Sequence, residues 1–278
     1  PGHVDFSGEV ERSLTVLDAA VLVVSAVEGI QAQTQALLEV LGRLSMPCVV
    51  VINKIDRAGA DSRAVREELA DAFEKNGRAL WDVNAPVSEG KEACSVRSLS
   101  EDEQAEPLIL ACGDENLLDA YLSGEADFEQ IEHAARKAVS KASVSPVVCA
   151  SSKLGIGIED LLDAVCRYLE CKTYAGEEVS GRVFKVEHDP AMGKIAHVRL
   201  FSGHLKNRES IFLPRTGTEE KITQIRRVLG RRQVDLGELK AGDVAALCGL
   251  SGVRAGDILG RGEVPWGDVH FTVPLLTV

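Results

Sequence analysis

Pro1-Gly2-His3-Val4-Asp5-Phe6-Ser7-Gly8-Glu9-Val10-Glu11-Arg12-Ser13-Leu14 opens the chain. A glycine beside a histidine at the mouth of a helix can set a backbone N–H against a phosphate with an imidazole next to it. Taken alone, Pro1-Gly2-His3 also reads as a turn followed by a helix. The residues downstream sharpen the reading. Residues 20–26 (Ala-Val-Leu-Val-Val-Ser-Ala) have the unbroken apolar character of a strand covered on both faces. A helix follows, then a second apolar strand over 48–52 that ends in Asn53-Lys54-Ile55-Asp56, and a third over 146–150 that ends in Ser151-Ser152-Lys153. An open α/β sheet places its ligand in the loops at the carboxyl ends of parallel strands. All three loops here carry ligand-type side chains.

Between these strands the periodicity is helical. Val4, Phe6, Val10, Leu14 and Leu17 recur at roughly helical spacing. Leu37, Leu38, Leu41 and Leu44 give the next helix an inner face, and Asp61-Ser62 caps one expected to run to about Asn76. Residues 77–145 are the least regular part: a short extended region around Trp81 to Pro86, an acidic stretch at 89–106 that reads as a solvated face, and a charged helix from about Asp127 to Lys141. Ile156, Ile158, Leu161, Leu162, Val165 and Leu169 mark the last helix. Near residues 172–178 the period changes from 3.6 to 2. Short strands at 181–188, 194–200, 209–213, 220–226 and 244–250, punctuated by glycine, then indicate a small β-barrel.

These motifs together resemble the translational GTPases. In that family the motif Asp-x-Pro-Gly-His meets the γ-phosphate, Asn-Lys-x-Asp reads guanine, and a Ser-Ala-Lys-like loop closes over the base. The phrase Val27-Glu28-Gly29-Ile30-Gln31-Ala32-Gln33-Thr34 resembles elongation factor G and its resistance relatives. Leu117-Leu118-Asp119-Ala120-Tyr121-Leu122-Ser123-Gly124 is similar to the ribosomal protection proteins of tetracycline resistance. The 95 positions from Asp56 to Ser151 exceed what a minimal GTPase needs and fall short of the extra subdomain of elongation factor G. Arg199-Leu200-Phe201-Ser202-Gly203-His204-Leu205 and Ala241-Gly242-Asp243-Val244 resemble the second domain that translation factors share.

The resemblance implies a fold and a set of roles. The fold is a P-loop-NTPase-type α/β domain followed by an all-β translation-factor barrel: residues 1–174 a partial GTP-binding domain, 175–264 the barrel, 265–278 the start of a further domain. His3 would orient or polarise the attacking water. Pro1 and Gly2 would lie at the γ-phosphate, and Asn53, Lys54, Asp56, Ser151, Ser152 and Lys153 would bind the base. Guanine presents N1–H and an exocyclic amino group as adjacent donors, and one ionised Asp accepts both, whereas adenine offers no such pair. Taken alone, Asn53-Lys54-Ile55-Asp56 is also an ordinary polar strand-to-helix loop, and Ser151-Ser152-Lys153 a Ser-rich helix cap. No Gly-x-x-x-x-Gly-Lys-Ser/Thr phosphate loop occurs in these 278 residues. The implied cofactors are GTP or GDP and Mg2+, with the magnesium ligands mostly outside this sequence, and this piece by itself is expected not to hydrolyse GTP.

Composition adds limits. With 31 Lys and Arg against 43 Asp and Glu the net charge is −12, which argues against sequence-independent coating of nucleic acid. The imbalance is local: residues 1–174 carry 16 basic and 30 acidic side chains, residues 175–262 carry 15 and 11. An RNA partner would therefore meet the second half, where Arg226, Arg227, Arg231 and Arg232 form a basic cluster that reads either as a solvated hairpin or as a contact for ribosomal RNA backbone. Seven scattered cysteines without metal spacing indicate a reducing, cytoplasmic compartment and no zinc. No apolar run is long enough to span a membrane. The parent reads as a ribosome-dependent GTPase that dislodges tetracycline, with the ribosome and a guanine nucleotide as partners and a monomeric state. The alternatives are an elongation-factor-G-like translocase or paralogue, and a non-catalytic ribosome-binding module.

Overall fold

The computed structural model describes residues 12–171, 176–190, 192–229 and 232–264. They belong to two compact units, one of Asp18–Cys171 and one that joins the residues up to Leu17 to those from Lys172 onward. Pro1, Gly2, His3, Arg231 and the segment 265–278 lie outside the described residues, as do the side chains of 228–233.

The α/β unit runs β1 (Ala20–Ser25), α1 (Ala32–Arg43), β2 (Cys48–Asn53), α2 (Ser62–Glu74), β3 (Ala79–Asp82), β4 (Asn84–Ser88), β5 (Ser95–Ser98), α3 (Glu101–Cys112), α4 (Glu115–Leu122), α5 (Phe128–Ser140), β6 (Val144–Ala150) and α6 (Ile158–Tyr168). Its sheet has the order β1-β2-β6-β3 with parallel neighbours throughout. The register aligns Ser25 with Asn53 and Asn53 with Ala150, so the three strands end level and their loops share one edge. Every residue of β6 and the first five of β2 are buried, as the Val-rich runs require of central parallel strands.

β1 departs from the sequence expectation. Leu22 and Val24 are buried, but Val21 is 44% and Val23 58% exposed, so one face of this strand is open among the described residues. An apolar run signals a strand without fixing how many layers cover its faces. Leu38, Leu41 and Leu44 are buried on α1 as expected, and Leu37 half-buried. α2 starts at its Asp61 cap, whose carboxylate accepts from the Ala64 amide at 2.9 Å, and buries Val65, Leu69 and Phe73 at helical spacing.

Residues 77–145, irregular in the sequence, are well structured. β3 extends the sheet and β4–β5 form a hairpin. α3 is set by a capping box in which Ser100 and Glu103 satisfy each other's end amides. Trp81, Leu108, Ile109, Ile131, Val139, Val148 and Tyr168 share one core, with Trp81 edge-on to Tyr168 at 5.0 Å between ring centres. The pattern is hard to read because α3 carries acidic residues through its first turn and Pro107 inside it, which dilutes the period to which Ala105, Leu108 and Ile109 belong.

The second unit is all β: β7 (Ser180–Asp189), β8 (Gly193–Ser202), β9 (His204–Lys206), β10 (Ser210–Leu213), β11 (Thr218–Lys221), β12 (Gln224–Leu229), β13 (Arg232–Asp235), β14 (Glu238–Lys240), β15 (Val244–Cys248) and β16 (Ile258–Gly260). Six strands form an antiparallel sheet in the order β13-β12-β15-β8-β7-β16, with β10-β11 and β14-β9 as two-stranded ribbons. Val198, Leu200, Leu205, Ile211, Ile225 and Leu247 fill the interior. The expected single strand at 220–226 is two strands, because the chain leaves β10 for β15 at Ile222 and Thr223, whose amides bond to Glu209 and Cys248 carbonyls.

Candidate functional site

The site lies in the α/β unit, where β1, β2 and β6 end level. Asn53 closes β2 and its Oδ1 accepts from the Lys54 amide at 2.8 Å. That bond accompanies a left-handed backbone at Lys54, φ 70°, a conformation that costs a non-glycine residue energy and recurs at ligand sites. The next residue anchors the loop: Ile55 is fully buried and its amide reaches the Ala150 carbonyl on β6. Asp56 is thereby held at the surface, half-buried, between two loops.

The β6 loop reaches back to meet it. Ser151 is fully buried, and its hydroxyl donates to Asp56 Oδ1 at 2.7 Å. Its backbone pairs in both directions with Ile156, closing a tight turn over 151–156. Ser152 donates its amide to Asn53 Oδ1 at 3.0 Å, and Asn53 Nδ2 donates to Ser152 Oγ at 3.0 Å. The Ser151 hydrogen bond holds the Asp56 carboxyl below the usual carboxylate range, helped by the Asp56 backbone and by the charges of Lys153 and Arg57. Lys153 is exposed at the tip of the turn. So two adjacent hydrogen-bonded groups, Asp56 with Ser151 and Asn53 with Lys54 and Ser152, share this edge, and the charge of Lys153 acts on Asp56.

The β1 loop contributes a residue that sequence reasoning passed over. Glu28 Oε2 accepts from Lys54 Nζ at 2.9 Å. Hydrogen bonds from Ser25 and then Lys54 keep its carboxyl below the ordinary value. The signal available was a charged residue in the loop of a strand adjacent to β2, which becomes specific only once the sheet order is known. The β4–β5 hairpin also reaches this edge: the Gly90 amide donates to the Ile55 carbonyl at 2.8 Å and the Ser62 amide to Glu89 Oε2 at 3.2 Å. Among the described residues no group of three or more His, Cys, Asp or Glu is placed to hold a metal ion. No helix among them is long and apolar enough to cross a membrane.

Comparison with known proteins matches two successive segments of the chain. Residues 1–171 match the family model described as "Elongation factor Tu GTP binding domain" and residues 178–262 the model described as "Elongation factor G domain 2". The chain is 37% identical to tetracycline resistance protein TetP of Clostridium perfringens, over 99% of this chain and 43% of that protein. It is 36% identical to the oxytetracycline resistance protein of Streptomyces rimosus, again over 99% and 43%. Elongation factor G 1 of Treponema denticola is 29% identical over 100% of this chain and 48% of its own length. The chain thus spans less than half the length of these relatives. A crystal structure of a Thermus thermophilus protein superposes with a TM-score of 0.75 at 27% identity, covering 96% of this chain and 45% of the other. With more than half its length matched by the first of these models, the chain belongs to the family of the elongation factor Tu GTP-binding domain, and it carries an elongation factor G domain 2 behind that domain.

Proposed function

We propose that the cluster at the sheet edge is the guanine-reading half of a GTP site. The observation that carries this reading is the pair of cross-loop bonds, Ser151 to Asp56 and Asn53 to Ser152. They keep the Asp56 carboxylate and the Ser152 amide together at one edge of a parallel sheet. Asp56 would accept guanine N1–H and the 2-amino group, and the Ser152 amide would face O6. Because the Ser152 amide donates to Asn53 in this structure, base entry would exchange or share that partner. Lys54 would lay its aliphatic stem along the purine, with Glu28 holding its ammonium. By the family motif Gly2 would supply an amide to the γ-phosphate and His3 would orient the attacking water, since positioning and charge stabilisation are most of what phosphoryl transfer needs. Mg2+, when bound, neutralises charge on the phosphates. The resemblance assigns its ligands to motifs that these 278 residues do not contain. The 278 residues alone would accordingly show no GTP turnover, and turnover comparable to that of an intact relative overturns this.

The whole protein would be a cytoplasmic, monomeric, ribosome-dependent GTPase that releases tetracycline from the ribosome. Support comes from the identities, 36–37% to proteins named for tetracycline or oxytetracycline resistance against 29–30% to elongation factors G. The test is drug release from tetracycline-loaded ribosomes by the full-length gene product, with GTP and then with GDP. GTP-dependent release establishes the reading. Ribosome-stimulated hydrolysis without release favours the second reading, a translocase, which the match to elongation factor G domain 2 supports. The Arg226, Arg227, Arg231 and Arg232 cluster would meet ribosomal RNA backbone, and charge reversal at Arg231 and Arg232 should then flatten the salt dependence of ribosome binding.

A further inference from the structure

Behind the 151–153 turn lies a polar cluster that the reading above leaves unused. Asn84, first residue of β4, is 2% exposed with its carboxamide fully engaged. Nδ2 donates to the Cys149 carbonyl at 3.1 Å and to Asp160 Oδ2 at 2.7 Å, while Oδ1 accepts from the Cys149 amide at 2.8 Å. Bonding both main-chain groups of one residue is what a neighbouring strand does. The main-chain pairing of β3 with β6 ends where Val83 donates to Val147, so the Asn84 side chain supplies the next rung, two residues before Ser151.

The same cluster fixes the far side of the turn. Asp160, in the first turn of α6, takes Asn84 on one oxygen and the Ser98 hydroxyl on the other at 2.6 Å. Gly157 caps α6 with φ +71°, and a Cβ there would fall 2.3 Å from the Cys149 carbonyl oxygen. The turn over 151–156 is therefore held at both ends, by Asn84 of β4 through Cys149 on β6 and by Asp160 on α6. Since Gly90 and Glu89 of the same hairpin hold Ile55 and Ser62 on the other loop, one β4–β5 hairpin braces both walls of the site.

We propose that Asn84 is a positioning residue for purine recognition: through Cys149 and Asp160 it sets where the Ser152 amide of the turn stands relative to Asp56. The assignment rests on the guanine-site reading. A side chain that merely holds the fold would weaken every nucleotide alike. One that aims the Ser152 amide would act at the 6-position of the base.

The experiment compares GDP, 6-thio-GDP and ADP binding to the full-length gene product by equilibrium titration, with folding monitored by circular dichroism. 6-Thio-GDP keeps the donors that Asp56 reads and replaces the 6-oxygen by a weak acceptor. Wild type should prefer GDP over both analogues. In Asn84→Ala the GDP affinity should fall about tenfold and the preference over 6-thio-GDP should collapse toward one. Weaker GDP binding with that preference intact, or unchanged GDP binding, overturns the proposal. Should Asn84→Ala fail to fold, Ser98→Ala removes only the outer bond, with an expected loss of about threefold in the same ratio, and an unchanged ratio in that folded variant overturns it equally. Wild type that binds ADP as well as GDP removes the guanine reading itself and this assignment with it, an outcome read without any variant.

Discussion

The Ser151 hydroxyl donates to Asp56 Oδ1 at 2.7 Å, joining two residues 95 positions apart. Ser151 also accepts from the Leu154 amide at 3.3 Å, so one buried hydroxyl orients the carboxylate and closes its own turn.

Ser151→Ala removes both bonds. GDP affinity should fall about five- to thirtyfold, measured by titration at neutral pH. The variant should also let the Asp56 pKa rise toward its ordinary value. The contribution of the pair is fully present above the unfolded carboxylate pKa and is lost as pH falls through the lower folded value. Nuclear magnetic resonance titration of Asp56 reads this directly, and an unmoved carboxyl in Ser151→Ala contradicts it.

Glu28→Ala tests the ammonium contact of Lys54. The two side chains are 43% and 36% exposed, so screening leaves the pair little influence on stability, and the melting temperature should move by less than about 2 °C. Nucleotide affinity should drop, and the drop should shrink as salt is raised. A large melting shift would make the pair structural.

Gly157→Ala places a methyl 2.3 Å from the Cys149 carbonyl oxygen in a left-handed backbone, φ +71°. The two effects together should destabilise the α/β unit by about 2–4 kcal/mol. Gly124→Ala is the control: it shares the positive φ, +73°, but nothing lies within 4 Å of its Cβ, and the cost should stay near 1 kcal/mol. Equal losses in chemical denaturation would show that the close contact relaxes.

Glu103→Gln tests the start of α3. Arg97 donates to both carboxylate oxygens, at 2.7 and 2.9 Å, and Ser100 adds its amide, lowering the Glu103 pKa to about 2. Because the folded pKa is depressed, the stabilisation is present above the unfolded value of roughly 4.3 and is lost as pH falls toward the folded one. Wild type should therefore lose stability between about pH 5 and pH 2, and Glu103→Gln should be flatter over that window. Parallel curves would remove Glu103 as a contributor.

Much of the fold could be read from the chain because its signals are local. The apolar runs at 48–52 and 146–150 become β2 and β6, the Asp61 cap starts α2, and the change of period near residue 175 precedes the β strands. Ser151, Ser152, Asn53, Lys54 and Asp56 were recognisable as polar strand-end residues, since the end of a buried parallel strand is where such groups can reach solvent without breaking the core.

Other features needed the third dimension. That buried strands end in polar loops was legible in the chain, because strand propensity and burial are written into the order of the side chains. It took the folded chain to show that Val21 and Val23 of β1 are exposed among the described residues, that the acidic stretch after residue 88 enters a hairpin and a helix, and that Glu28 meets Lys54. The fold alone brought Asn84 to Cys149, 65 positions away, and to Asp160, 76 away. A hydrogen bond between distant residues is fixed by strand order and register, and a single buried carboxamide leaves no periodic trace in the sequence that surrounds it.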